Sequence, residues 1–224
     1  IYVDKEGKYI TKGPEYETIW AHGPNLGISD LDAIARMDYL ADDYGIDTIE
    51  MGNAIGVAME AGIISFGDIK GAMGLYEEVS RGTPLGRILG SGAATVAKVF
   101  GISRVAVVKG QALPAYDPRA VKGIGVTYAT SPMGADHTSG YTVRANILGI
   151  GEKVDPLAIE GQVELSKKMQ VKTAALDCTG LCLFCTLMMA ERPDTWDDIV
   201  EMINARYGLK LKTYEFFKLG ERVL

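Results

Sequence analysis

A short pattern occurs twice in this chain and constrains its fold more than any other feature. Residues 42–47 read DDYGID, and residues 177–182 read DCTGLC. Each copy follows an apolar-periodic stretch that predicts a helix, and each places a glycine where that helix would end with positive φ. The pattern therefore predicts helices that end at turns, with Asp42 and Asp177 held three residues before the glycine.

The two aspartates suggest a kind of ligand. A carboxylate fixed at a turn accepts hydrogen bonds, so it suits a ligand rich in N–H donors, such as a pterin or purine ring. Two such turns could flank one cofactor. Taken alone, however, the pattern is short and degenerate, and two ordinary helix ends with exposed aspartates would explain it at least as well.

Apolar periodicity along the rest of the chain predicts an all-α, mainly helical fold with at most one or two short strands. The β-branched run at 105–109 fits a strand or an extended connector. Glycines 52 and 56 lie inside a predicted helix and indicate close approach by a neighbouring helix or a ligand. The predicted helices cover residues 31–44, 47–62, 68–80, 84–100, 117–130, 155–175, 194–207 and 213–223.

We divide these helices between two domains, residues 1–105 and 106–224. The chain has a net charge of −6 and its lysines and arginines are scattered, which argues against nucleic acid as a partner. It has no apolar run long enough to span a bilayer and no signal-peptide layout, so we expect a cytoplasmic protein without a membrane partner. Because the chain does not begin with Met, we expect an internal piece of a longer protein.

All three cysteines, Cys178, Cys182 and Cys185, lie close together in the sequence. Such clustering favours metal or redox chemistry over disulfides. The C-x-x-x-C-x-x-C spacing equals that of radical S-adenosylmethionine enzymes, in which three thiolates hold a [4Fe–4S] cluster. The context argues against that hypothesis, since too little chain follows Cys185 to build the barrel in which the motif normally lies.

Three further segments accompany the paired turns: GPEYET at 13–18, LPAYDPR at 113–119 and GADHT at 134–138. In this order and at these separations, the chain resembles the tungsten-dependent aldehyde:ferredoxin oxidoreductase family from about Gly13 to about Met188. The resemblance implies an enzyme that oxidises an aldehyde to a carboxylate and passes electrons to ferredoxin. It also implies two cofactors: tungsten, or molybdenum, held by two pterins, and a [4Fe–4S] cluster.

Two catalytic residues are predicted. His137 lies in a loop of small residues, where an imidazole can approach a ligand, and its ordinary pKa suits proton transfer. The resemblance places the active-site histidine there. Glu15 and Glu17 flank Tyr16 in a segment that looks extended, and a solvated acidic pair is the simpler interpretation; the resemblance implies a glutamate near the metal, for which we choose Glu17. Nothing in the sequence assigns a functional role to His22.

The resemblance also assigns the turns. It implies that Asp42 and Asp177 each hydrogen-bond the amino-pyrimidine edge of one pterin. The residues expected to shape the same turns are Gly45, Asp47, Gly180 and Leu181. Cys182 matches the position of a single cluster ligand, and the other three ligands are expected upstream of this chain. We expect Cys178 and Cys185 to be buried as small hydrophobic side chains.

Some relatives form a dimer bridged by a metal bound to a glutamate, and Arg36 stands at the corresponding position, which argues against that bridge. Another homo-oligomer is left open. Two alternative functions are also kept. One is a reductase of the same fold that acts on aromatic thioesters of the benzoyl-CoA type. The other is a helical interaction module without a cofactor.

Overall fold

In the computed structural model, residues 1–185, 189, 192 and 194–224 are described. They form eleven α-helices, two short 3-10 turns and two antiparallel sheets of two strands each. The prediction of a mainly helical fold is confirmed, although four short strands replace the one or two that we expected. Within the described residues, no helix combines the length and the apolar character needed to cross a membrane.

The described residues form two compact units, Ile1–Ala115 and Tyr116–Leu224. The predicted boundary at residues 105 and 106 lies ahead of a pair of strands that belongs to the first unit. One of these strands packs against two helices of that unit, and Ala112 is buried in its core. The division of the chain into two separate domains stays a prediction.

The first unit consists of six helices and two strand pairs. Its elements are β1 Tyr2–Val3, β2 Tyr9–Thr11, α1 Tyr16–His22, α2 Leu31–Tyr44, α3 Thr48–Glu60, α4 Ile69–Ser80, α5 Pro84–Leu89, α6 Ala93–Phe100, β3 Val107–Val108 and β4 Gln111–Ala112. Helix α3 is central and packs against α1 and α6. Because Met51, Ala54 and Ile55 are each almost fully buried, most of the surface of α3 faces protein rather than solvent.

The close approach predicted at glycines 52 and 56 is confirmed. A Cβ atom at Gly52 would lie 2.7 Å from both the Cβ and the backbone oxygen of Ala21 in α1. At Gly56 the neighbour is the side chain of Asn25, 3.3 Å from the same hypothetical atom. The neighbouring helix, rather than a ligand, therefore explains Gly52.

The single helix predicted over residues 84–100 is wrong, because α5 ends at Leu89 and α6 begins at Ala93. Gly92 between them has a φ of 90°, which a side chain would disfavour. This backbone lets the Ala93 N–H donate to Oε1 of Glu50 at 2.8 Å. The carboxylate of Glu50 thus satisfies an otherwise unpaired N–H at the start of α6.

The second unit has five helices: α7 Lys122–Thr130, α8 Val143–Asn146, α9 Gln162–Asp177, α10 Thr195–Tyr207 and α11 Thr213–Val223. Helix α9 is central and packs against α7 and α11. Gly220 allows α11 to lie directly against the backbone oxygen of Val171 in α9. A smaller core forms around Trp196 and Phe216.

Two predicted helix starts in this unit are wrong. Asp117 accepts a hydrogen bond from the backbone N–H of Arg119 at 2.8 Å, which makes a turn instead of a helix, and α7 begins at Lys122. Asp155 does the same with Leu157 at 2.9 Å, and α9 begins at Gln162. Aspartate side chains bond readily to backbone groups two residues ahead, and this local bond competes with helix formation.

Candidate functional site

The first turn lies at the end of α2. Gly45 has a φ of 68°, and its N–H donates to the backbone oxygen of Asp42 at 3.2 Å. The N–H of Ile46 donates to the backbone oxygen of Ala41 at 2.8 Å. This is the usual glycine-terminated helix end, so the predicted positive φ is confirmed at Gly45. The turn fixes the backbone that carries Asp42.

The Asp42 side chain is 49% exposed and bonds to Lys12, which follows β2. The Lys12 Nζ donates to Asp42 Oδ2 at 2.6 Å, and this hydrogen bond raises the pKa of Lys12. An ion pair with both partners half exposed contributes little free energy, about 0–1 kcal/mol. A ligand with N–H donors can therefore compete for Asp42.

Asp47 has a structural task in the same turn. Its Oδ2 accepts a hydrogen bond from the backbone N–H of Glu50 at 2.7 Å and so caps the start of α3. The six-residue pattern therefore ends one helix at Gly45 and begins the next at Thr48. Asp42 lies in the last turn of α2, before both of these points, and its side chain bonds to Lys12 rather than to the turn.

Glu17 lies in the first turn of α1, so the extended segment that we predicted there is wrong. Only Glu15 is extended, as the residue that precedes the helix. The Oε2 of Glu17 accepts a hydrogen bond from the Ala115 N–H at 2.8 Å, which joins the GPEYET and LPAYDPR segments. Burial raises the pKa of Glu17, and the Ala115 bond opposes that change. Glu17 is therefore a half-buried carboxyl with a raised pKa.

The second turn follows α9 directly. Asp177 is the last residue of α9, and Gly180 has a φ of 77°, as predicted. The Gly180 N–H donates to the backbone oxygen of Asp177 at 3.0 Å, and the Leu181 N–H donates to Thr179 Oγ1 at 3.1 Å. Partial burial raises the pKa of Asp177, and the negative charge of Asp136 adds to this effect. An exposed aspartate is again held beside a glycine turn.

His137 lies half-buried between two tyrosine rings. The ring centroid of Tyr116 is 5.3 Å from that of His137, and that of Tyr141 is 6.0 Å away. Burial lowers the pKa of His137, while the charge of Asp136 opposes the change. The imidazole is therefore neutral near pH 7 and able to accept a proton.

The loop that carries His137 is fixed at its end by Gly140. A Cβ atom there would lie 2.6 Å from Cγ of Gln170 in α9, so only glycine fits without displacing that side chain. Thr127 Oγ1 in α7 donates to the backbone oxygen of Gly140 at 3.0 Å. The 3-10 turn Thr138–Gly140 packs against α9, so the histidine loop lies beside the helix that ends at Asp177.

The cysteines differ from the prediction. All three are exposed, so the expected burial of Cys178 and Cys185 is wrong. Cys178 follows the last helical residue of α9, and it lies beyond the buried Leu176. Among the described residues, no three His, Cys, Asp or Glu side chains are grouped closely enough to hold a metal ion. Cys182 as a cluster ligand stays a prediction.

His22 proves to be a core residue. Its Nε2 lies 2.7 Å from the Tyr76 hydroxyl and its Nδ1 lies 3.3 Å from the Thr18 backbone oxygen. Since a backbone oxygen only accepts, Nδ1 carries the proton and Tyr76 donates to Nε2. Burial lowers the pKa of His22 to about 4. The imidazole therefore stays neutral and bridges α1 and α4.

The sequence did not single out Lys12 or Tyr141 as site residues. Lys12 directly precedes the GPEYET segment, and its distance in sequence from Asp42 hides the ion pair. Tyr141 follows His137 by four residues, a spacing that could have suggested contact if the loop had been predicted as helical.

The structure does not join Glu17 to Asp42. Glu17 is hydrogen-bonded to Ala115 and Asp42 to Lys12, and no hydrogen bond within the described residues links the two carboxylates.

Comparison with known proteins gives consistent matches. The sequence model of a family described as "Aldehyde ferredoxin oxidoreductase, domains 2 & 3" matches residues 1–224. The tungsten-containing aldehyde ferredoxin oxidoreductase of Pyrococcus horikoshii is 38% identical over 95% of this chain and 37% of its own length. That of Thermococcus kodakarensis is 35% identical over 96% of this chain and 37% of its own length.

A protein named as the WOR-like subunit of an aliphatic sulfonate oxidoreductase from Pyrococcus furiosus is 33% identical over 58% of this chain and 24% of its own length. The chain thus spans a little over a third of the length of the aldehyde ferredoxin oxidoreductases that it matches. The family model covers both units and all the segments discussed above. The chain therefore belongs to the aldehyde ferredoxin oxidoreductase family.

Proposed function

We propose that the intact protein oxidises an aldehyde to a carboxylate and transfers the electrons to ferredoxin, using tungsten, or molybdenum, held by two pterins. The observation that carries this proposal is the pair of exposed aspartates, Asp42 and Asp177, each presented beside a glycine turn with positive φ in a chain of this family. Because the chain is only part of the length of its relatives, the proposal concerns the whole protein.

The two turns fit the edge of a pterin. The amino-pyrimidine edge of a pterin offers N–H donors, and an ionised carboxylate is their natural acceptor. Among the described residues, Lys12 is the one hydrogen-bond partner of the Asp42 side chain, and the Asp177 side chain has none. Asp177 can therefore take up the edge of one pterin without loss of a hydrogen bond, and Asp42 can do so by exchanging its half-exposed ion pair with Lys12.

Asp42 and Asp177 would hold the pterins, and a tungsten–pterin centre bound there would supply Lewis-acid and two-electron redox chemistry. The protein's own groups would move the protons. Glu17 has a raised pKa, so it can exchange a proton nearer to neutral pH than an ordinary glutamate, and the Ala115 N–H fixes one of its oxygens. His137 is neutral and held between two aromatic rings, so its imidazole can accept a proton at the ring nitrogen that carries none.

The described residues do not by themselves fit a [4Fe–4S] cluster, which usually needs four thiolates. We therefore propose Cys182 only as one of the four cluster ligands. Its place as a single ligand can be tested by Cys182→Ser in the intact protein. Iron content should fall while the protein stays folded, and Cys185→Ser should leave iron unchanged.

The catalytic assignment is tested with His137→Ala and Glu17→Gln in the intact protein. Loss of a general acid or base costs about 10²–10⁴ in rate, so kcat for aldehyde oxidation should fall by that order while tungsten content stays intact. Glu15→Gln is the matched control, since Glu15 is an exposed glutamate two residues away. Near-normal rates for the first two variants, or inactivity of the control, would overturn the assignment.

Two alternatives are separated by simple measurements. A match to a protein named as an aliphatic sulfonate oxidoreductase subunit means that similar sequences occur in proteins named for another substrate. Product analysis with simple aldehydes against benzoyl-CoA distinguishes aldehyde oxidation from reduction of aromatic thioesters. Tungsten and iron analysis after anaerobic purification distinguishes either enzyme from an interaction module, which would contain no metal.

A further inference from the structure

The segment that follows β4 carries the N–H group that bonds to Glu17. It covers residues 112–115, which read ALPA. Its backbone leaves the strand pairing after Ala112. The Leu113 N–H donates to the backbone oxygen of Ala106 at 2.9 Å. Three other backbone groups of this segment bond to side chains of α1 and α3.

Two of these side chains belong to α3. The Oε2 of Glu50 accepts a hydrogen bond from the Ala112 N–H at 2.9 Å. The Nδ2 of Asn53 donates to the backbone oxygen of Leu113 at 3.1 Å and to that of Ile49, one helical turn earlier, at 2.9 Å. The bond to Ile49 fixes the orientation of the amide. Because Asn53 is only 8% exposed, water competes little for either bond.

The third side chain is Glu17 itself, and α3 also holds the helix that carries it. The Oε2 of Glu17 accepts from the Ala115 N–H at 2.8 Å. Thr18 is the next residue of α1, and its Oγ1 lies 2.9 Å from Oγ1 of Thr48 at the start of α3, so one hydroxyl donates to the other. Gly52 lets α1 lie directly against α3. One helix therefore fixes both the carboxylate and the N–H group that bonds to it.

We propose that Asn53 is a positioning residue for Glu17, because its amide holds the backbone at Leu113 and so keeps the Ala115 N–H at the Glu17 carboxylate. A neutral donor suits this place, since a lysine or arginine would add a positive charge near the carboxylate and change its proton affinity. The inference rests on the proposed function for the role of Glu17 in proton transfer. The positioning itself requires no cofactor.

The bond from Ala115 affects how readily Glu17 gives up its proton. Burial raises the pKa of Glu17, and the hydrogen bond from Ala115 opposes the rise. Without the Asn53 amide the segment loosens and the bond from Ala115 weakens. The carboxyl should then titrate at a higher pH and be held less firmly, and both changes make it a poorer base near pH 7.

The test uses Asn53→Leu in the intact protein, since leucine is close to asparagine in size and cannot donate a hydrogen bond. Loss of this bond should speed hydrogen exchange across residues 111–116 by about fivefold or more. Glu17 should titrate at a higher pH than in the native protein, measured as the infrared difference between each protein and its Glu17→Gln derivative. Turnover should fall by about tenfold or more while tungsten content stays at the native level.

Two further variants complete the test. Asn53→Ser has a side chain that can bond to Ile49 but is too short for Leu113, and it should give the same three changes even if leucine prevents folding. Asn204→Leu is the matched control, because Asn204 Nδ2 donates to the backbone oxygen of Leu211 at 2.9 Å in the second unit. The control should change none of the three measurements.

The outcomes separate this inference from the proposed function. Unchanged exchange at residues 111–116, or unchanged titration of Glu17, in the folded Asn53 variants would overturn the positioning role, as would equal changes in Asn204→Leu. If instead the proposed function is wrong, exchange and titration should still change as expected, while aldehyde oxidation is absent from the native protein or is unaffected by Glu17→Gln.

Discussion

Two glycines inside helices of the first unit should respond in opposite ways to the same substitution. Gly52→Ala would place a Cβ atom 2.7 Å from the backbone oxygen of Ala21, and backbone cannot swing aside as a flexible side chain can. Gly74→Ala in α4 would meet nothing within 4 Å. Neither glycine has positive φ. The two variants therefore differ in packing and not in backbone strain.

The magnitudes follow from two effects. Replacing a helical glycine by alanine stabilises a helix by about 0.5–1 kcal/mol. Overpacking a well-filled contact costs about 1–3 kcal/mol. Gly74→Ala should therefore raise the free energy of unfolding by the first amount. Gly52→Ala should lower it by about 1–2 kcal/mol, because α1 must move away from α3.

Hydrogen exchange measured by mass spectrometry suits this test, since it reports the opening of each helix separately. Gly52→Ala should speed exchange in α1 and α3, and Gly74→Ala should slow it in α4. Because α1 carries Glu17, Gly52→Ala should also lower turnover. If Gly52→Ala leaves exchange in α1 unchanged or slower, the close packing of α1 on α3 is wrong.

Two further predictions concern stability. The pKa of His22 is about 4 in the folded chain against 6.5 unfolded, so the unfolded state binds more protons between these two pH values. The free energy of unfolding should therefore fall by about 3 kcal/mol as the pH drops from 6.5 to 4. Urea unfolding measured across this pH range should show the decrease, and His22→Gln should lack it. Asp68 caps α4 by accepting a hydrogen bond from the Gly71 N–H at 2.8 Å. Asp68→Ala should therefore lower the urea midpoint of unfolding by an amount equivalent to about 1 kcal/mol, without reducing turnover. An unchanged midpoint would show that the cap contributes nothing.

The sequence predicted well those features that depend on local periodicity. Helix α2 and helix α11 have the predicted bounds, since each has an apolar stripe and clear end signals. The glycine turns after α2 and α9 were also predictable, because positive φ strongly favours glycine. The close approach at Gly52 followed from a glycine in an otherwise good helical pattern.

The errors arose where a distant partner or a short local bond decides the structure. Glu50 and Ala93 are far apart in sequence, and the break before α6 depends on the bond between them. Asp117 and Asp155 were predicted as helix starts, but each makes a turn bond two residues ahead. Periodicity carries no information on either effect.

The candidate site likewise combines residues that motifs predict with contacts that the sequence does not reveal. Asp42, Asp177 and His137 were predicted from motifs, and their roles stay predictions. The ion pair of Asp42 with Lys12 and the tyrosine rings around His137 were not predicted, because they depend on tertiary contacts between separated segments.

The most direct test of the central claim is the tungsten and pterin content of intact protein carrying Asp42→Asn or Asp177→Asn. An amide keeps one acceptor oxygen and replaces the other by an NH2 donor, so each variant should lose the charge-assisted hydrogen bond and place a donor against a donor of the pterin edge. Asp43→Asn is the matched control, because Asp43 is the exposed neighbour of Asp42. We predict that tungsten and pterin per polypeptide fall severalfold in the first two variants and stay at the native level in the third. Native cofactor content in all three would contradict the account.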